Sequence, residues 1–152
     1  MTLQEIFDHG KEAAQHLFNV QGEIHPMWII ETKGGKIAPM IVQMDDKDRV
    51  VKAIKKALNG LEAVRYVSIL EAWMLDISKD RDLPESIKLG APVSQHPDRR
   101  EILTIYAEDK VDGSMSGYFY ILRPETGKPR LSAFKEAPRS ERNEGRFVNL
   151  FS

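Results

Sequence analysis

A chain of 152 residues with 41% hydrophobic and 30% charged side chains is long enough for one domain with a buried core, and too apolar to be disordered. Its 22 Lys and Arg against 23 Asp and Glu leave a formal charge of −1, so no global field draws it to nucleic acid or an anionic membrane. The absence of cysteine removes disulfides, thiolate catalysis, zinc fingers and iron–sulfur clusters at once.

The start, Met1 to Phe7, has neither the basic end nor the apolar run of a signal peptide. No stretch approaches the ~20 apolar residues of a membrane span. The expected location is cytoplasmic, away from membranes.

The first element is an amphipathic helix. Thr2 and Glu5 have capping-box spacing, and Leu3, Ile6, Phe7, Ala13, Ala14, Leu17 and Phe18 fall on one stripe, with Gly22 as the stop. A hairpin follows. Met27 to Ile30 reads as a strand, Lys33-Gly34-Gly35-Lys36 as its turn, and Ile37 to Met44 as the return. Pro39 cannot donate a ladder hydrogen bond, which makes the return strand an edge or a bulge.

Asp45 or Asp46 caps a second helix. Val50, Val51, Ile54, Leu58 and Leu61 mark its buried stripe, Gly60 ends it, and Lys52, Lys55 and Lys56 face water. A strand over Val64 to Leu75 carries large apolar groups on both faces and is expected to be central. Asp76 to Gln95 reads as a long loop, punctuated by Pro84, Gly90 and Pro92. Three more strands are expected at Arg100–Glu108, Ser116–Leu122 and Pro129–Phe134.

The order α-β-β-α-β-β-β-β, with short links, predicts an α+β fold. It has a single, mostly antiparallel sheet of about six strands, with both helices on one face. Residues 1–136 form the expected domain, and 137–152 a tail that docks on that domain or on a second subunit through its apolar end, Phe147 to Phe151. The element order resembles the profilin-like and roadblock-like class of small α+β domains, a likeness of topology that does not fix function.

Several enzyme patterns can be tested on spacing. Pro97-Asp98 followed by Glu108-Asp109-Lys110 fits a loose restriction-nuclease signature. Yet Arg100 to Glu108 reads as one strand, which at ~3.3 Å per residue holds Asp98 and Glu108 roughly 33 Å apart. Ser94, His96 and Asp98 have the residue types of a hydrolytic triad, but in extended chain they stand ~7 Å apart in steps. The simpler reading is a turn into the strand, with Asp98 capping local amides.

His9 and His16 lie two helical turns apart, too far for one ion, and His25 and His96 each precede proline at a strand entrance. Gly34-Gly35-Lys36 lacks the spacing of a phosphate loop. Glu71, within a central strand, reads as an edge-exposed carboxylate or, if buried, as the partner of Arg65, Arg99 or Arg100; the functional alternative is an acid lining a pocket. Lys52, Lys55, Lys56, Arg65, Arg99 and Arg100 would form a basic patch only if their elements adjoin, so nucleic acid is disfavoured as a partner.

Arg65-Tyr66-Val67, Glu71-Ala72-Trp73-Met74, His96-Pro97-Asp98-Arg99-Arg100-Glu101 and Ala107-Glu108-Asp109 ahead of Gly113 carry a resemblance over roughly residues 25 to 125. The segment resembles a group of small bacteriophage and bacterial proteins with no assigned activity. The resemblance implies a phage-linked or accessory role and supplies no ligand, cofactor or catalytic residue.

The resulting expectation is a non-enzymatic protein-interaction or accessory protein without a cofactor. Its partner is another protein, a second copy of the chain included. The alternative is a metal-dependent hydrolase or nuclease using some of Glu71, His96, Asp98, Glu101 and Asp109, which requires the Asp76–Gln95 loop to fold them into one cleft.

Overall fold

Thr2 and Glu5 close the capping box that their spacing predicts. The Thr2 hydroxyl accepts the Glu5 N–H at 3.1 Å, and the Glu5 carboxylate accepts the Thr2 N–H at 3.0 Å. Helix α1 then runs Leu3–Gln21 and stops at Gly22, whose φ of 72° donates its N–H back to Phe18. These observations come from a computed structural model that describes residues 1–75, 99–137 and 147–151. The expected loop at Asp76–Gln95 lies outside the described residues.

Strands β1 (Met27–Thr32) and β2 (Ile37–Ile41) form the expected hairpin. Helix α2 (Lys47–Gly60) follows, with Asp46 accepting the N–H groups of Asp48 and Arg49. Gly60 does not end it in the left-handed region. The helix runs through Gly60, Leu61 caps it in right-handed geometry, and the chain turns at Glu62 with φ 50°. Leu61 is accordingly exposed, and the buried stripe is Val50, Ile54 and Leu58.

The remaining strands are β3 (Ala63–Met74), β4 (Arg100–Asp109), β5 (Gly113–Leu122), β6 (Arg130–Leu131) and β7 (Lys135–Glu136). The sheet order is β2-β1-β3-β4-β5-β6, every pairing is antiparallel, and β7 also pairs with β5. The α+β class and the element order are those read from the sequence. Of the strand expected at Pro129–Phe134 only Arg130–Leu131 pairs, as β6, and β7 begins just beyond it at Lys135. Between β6 and β7, the Phe134 ring turns inward to pack edge-on against Phe7 and Phe119, while the Ser132 hydroxyl takes the Tyr120 N–H. A large ring drawn into the core breaks the ladder.

The two helices lie on opposite faces, not on one. Odd-numbered residues of β3 to β5, such as Val67, Ile69, Leu103, Ile105 and Phe119, join Ile6, Phe7 and Phe18 of α1 in one core. Even-numbered residues of β1 and β3, Trp28, Ile30 and Tyr66, join Val50, Ile54 and Leu58 of α2 in another. A strand alternates its side chains, so the contiguous apolar run Trp28-Ile29-Ile30 serves both cores at once. Helix α1 comes so close to β3 that a Cβ on Gly10 would sit 2.5 Å from Val67 Cγ2.

Hydrogen-bond parity explains Pro39. Val42 donates to Pro26 and Thr32 donates to Lys36, so the even residues of β2 face β1 and Ile37, Pro39 and Ile41 turn their main-chain groups to the free edge. Pro39 therefore costs the ladder nothing, and it leaves a gap in the row of donors that another strand would need.

Candidate functional site

Register builds a charged cluster that the sequence did not single out. Glu31, Arg65 and Asp109 are direct cross-strand neighbours on β1, β3 and β4. Arg65 Nε donates to Asp109 Oδ2 at 2.8 Å and its Nη1 donates to Glu31, which also accepts from the Met1 amine at 2.7 Å. Asp109 additionally accepts the N–H groups of Val111 and Asp112, closing the turn into β5. Burial pushes both carboxyls up, but these hydrogen bonds outweigh it and hold Glu31 and Asp109 below the usual carboxylate range. No spacing rule finds this cluster, because its members are 34 and 44 residues apart along the chain.

The residues named for catalysis fare differently. Glu71 and Glu101 line one small hollow of about 120 Å³ with Trp73. Glu71 is exposed and accepts the Ile24 N–H at 3.1 Å; Arg65, one of its candidate partners, belongs to Glu31 and Asp109 instead. Glu101 pairs with Arg123. His96 and Asp98 lie outside the described residues, as does Ser94 of the candidate triad.

Glu108, from the nuclease pattern, accepts the Tyr66 hydroxyl at 2.7 Å, and β4 is the unbroken strand that argues against that pattern. His9, His16 and His25 are exposed. Among the described residues no group of three His, Cys, Asp or Glu could hold a metal ion. The Ser68 and Thr104 hydroxyls donate to the Tyr106 and Leu70 carbonyls. The basic patch does not assemble as one field. Arg65 is committed to two carboxylates, Arg99 lies 4.6 Å over the Trp73 ring, and Arg100 lies 3.6 Å over Tyr120.

What does form on the α2 side is a pair of adjoining grooves. One, of about 300 Å³, is lined by Ser68, Leu70, Thr104, Tyr106, Tyr118 and Phe147. The other, of about 470 Å³, runs along Leu70 to Trp73 toward Ile24, Met44 and Lys47, and shares Leu70, Thr104 and Phe147 with the first. Lys110 donates to the Val64 carbonyl, so even residues of β3 face β4 while Glu71 and Trp73 direct their main-chain N–H and C=O toward the β1 side. The β1 ladder ends at Ile69. Among the described residues, no strand pairs with β3 on that side beyond it.

The apolar segment Phe147–Phe151 seats itself on the same face. Leu150 is buried, the Phe147 ring packs 5.6 Å from Trp28, and the Phe151 ring packs 5.3 Å from Tyr66. The Tyr106 hydroxyl accepts the Asn149 N–H at 3.2 Å, and the Tyr66 hydroxyl accepts the Leu150 N–H at 3.4 Å. No helix of the described residues is long and apolar enough to cross a membrane.

Compared with known proteins, the chain matches no family model, no curated protein and no solved structure.

Proposed function

We propose that this protein works by binding another polypeptide, and that the binding surface is the groove beside the outer part of β3. The observation that carries the reading is the juxtaposition of an apolar groove of about 470 Å³ with the main-chain groups of Glu71 and Trp73, which have no neighbouring strand on that side among the described residues. A strand edge supplies hydrogen bonds that only another backbone matches in spacing, and an adjoining apolar trough takes its alternate side chains. Trp73, 41% exposed at the rim, is the kind of aromatic that anchors such contacts. The carboxylates that a hydrolase would need, Glu71, Glu101, Glu108 and Asp109, are each held by a structural partner.

Display selection of random peptides against the full-length protein tests this reading. The expected result is an enriched family of extended apolar peptides whose binding is lost in a folded Thr104→Arg variant, where the long side chain fills the space common to both grooves. Turnover of phosphodiester or ester substrates with Mg²⁺, Mn²⁺ or Zn²⁺, accompanied by a metal-dependent rise in melting temperature, would overturn it in favour of a hydrolase.

A further inference from the structure

The seat of Phe147–Phe151 is built independently of the segment that fills it. Trp28, Tyr66 and Tyr106 project from β1, β3 and β4, where the sheet ladders fix their backbones. Tyr66 donates its own proton to Glu108, which turns an oxygen lone pair outward as a preset acceptor. The segment, by contrast, has no ladder with the sheet among the described residues. It is held by buried Leu150, by Val148 and the two aromatics packed on the same core, by Lys110 over the Phe151 ring, and by two main-chain N–H groups given to tyrosine oxygens. Asn149 turns the segment at φ 55°, a conformation that asparagine tolerates. Two aromatics, a leucine and two amides are features that another chain can present equally well.

The seat also has something left over. Trp28 is fully buried, and its indole Nε1–H has no acceptor among the described residues. An unmet buried donor costs about 1–3 kcal/mol. Phe147, the nearest ring of the segment, has no side-chain acceptor to offer.

We propose that this socket is a receptor for a short segment of a partner protein, patterned aromatic–x–x–leucine–aromatic with a hydrogen-bond acceptor beside the first aromatic. Phe147–Phe151 is its resident competitor. The proposal rests on the reading of the chain as a polypeptide-binding protein. It adds a second recognition element, next to the β3 groove whose wall Phe147 forms. An incoming segment that reaches Trp28 Nε1 outcompetes the resident one, and its arrival removes Phe147 from both grooves.

The test uses the full-length protein and a labelled synthetic peptide with the sequence of residues 146–152, followed by fluorescence anisotropy. Two variants free the socket. Asn149→Pro removes the N–H given to Tyr106 and forbids the positive φ, and Leu150→Asp removes the buried anchor. Occupied receptors lose apparent affinity in proportion to the free fraction, so the peptide is expected to bind each freed variant at least about tenfold tighter than wild type.

Tyr106→Phe placed in the freed background should weaken that binding several-fold. Should Leu150→Asp fail to fold, Asn149→Pro alone decides. Equal or absent peptide binding by wild type and a folded, freed variant overturns the proposal. If peptides selected through the β3 groove still bind in a Thr104-dependent way, the broader reading survives that failure; if they do not, both fall.

Discussion

Arg65 bridges two carboxylates from opposite sides. Its Nε donates to Asp109 Oδ2 at 2.8 Å across the β3–β4 ladder, while its Nη1 reaches Glu31 on β1. Removing the central cation leaves two buried anions facing each other. Arg65→Met is therefore expected to cost on the order of 3–5 kcal/mol in urea denaturation. The triple replacement Glu31→Leu, Arg65→Met, Asp109→Asn should recover much of that loss. It leaves no buried carboxylate without a cation, the Met1 ammonium that loses Glu31 is partly exposed, and asparagine still accepts from the turn at Val111.

The same cluster sets the acid limb of stability. Glu31 and Asp109 titrate lower in the folded chain than in the unfolded one, so the unfolded state takes up protons first as pH falls. Their stabilisation is fully present above the ordinary carboxylate values of ~4 and is lost as pH drops through the lower folded values. Melting temperature followed from pH 7 to pH 2 is expected to fall steeply below about 4 in wild type, and more gently in the triple variant. An identical acid limb in the two proteins would remove the cluster from the account.

The alkaline limb belongs to tyrosine. Burial pushes Tyr66 and Tyr106 above the usual phenol value, with the Glu108 carboxylate adding to the rise at Tyr66. A raised folded value means the contribution is whole below ~10 and fades as pH climbs beyond it, because only the unfolded phenol ionises there. Ultraviolet titration should show two slow phenols that ionise only with unfolding. Tyr66→Phe should lower stability at pH 7 by about 1–3 kcal/mol and make the loss of stability above pH ~10 shallower.

Gly10 tests how tightly α1 sits on the sheet. Alanine there would normally favour a helix by about 1 kcal/mol. With its Cβ 2.5 Å from Val67 Cγ2, Gly10→Ala is instead expected to destabilise by roughly 1–3 kcal/mol. Gly10→Ala combined with Val67→Ala should cost less than the sum of the two single changes, a coupling readable in a thermal double-mutant cycle.

How much of this could be read beforehand varies with the range of the interaction. The boundaries of α1 were legible because Thr2, Glu5 and Gly22 act within a single turn of the chain. Pro39 marked the edge strand, and the apolar run around Tyr66 and Val67 marked the centre. The faces that the helices cover are not legible in the same way. An amphipathic helix announces that it needs a surface, not which one, although the unbroken Trp28-Ile29-Ile30 run was the sign of a sheet covered on both sides. Glu71 was legible as a strand residue either exposed at an edge or ion-paired; the structure exposes it, and β1 ends opposite Ile69 beside it. The Glu31–Arg65–Asp109 cluster was invisible, because only the register of three strands assembles it.

Pro39 offers a direct check on edge protection. Ile37 and Ile41 flank it, 40% and 64% exposed, so the outer strand is apolar and its proline interrupts the donor row. Pro39→Val would restore that donor within a β-branched run. Light scattering is expected to show mass rising with concentration in the variant and a constant mass in wild type over the same range.

The two tryptophans make the molecule its own optical instrument. Trp28 is sealed beneath Phe147 at one end of the aromatic face, and Trp73 stands half in water at the rim of the β3 groove. Their emission should separate into a blue component that acrylamide cannot quench and a red one that it can. Departure of Phe147–Phe151 would dim or redden the first alone, and a strand arriving along β3 would shift the second alone. With Trp73→Phe and Trp28→Phe to isolate each colour, unmodified protein in a cuvette can report which of its two surfaces has been occupied, and in what order.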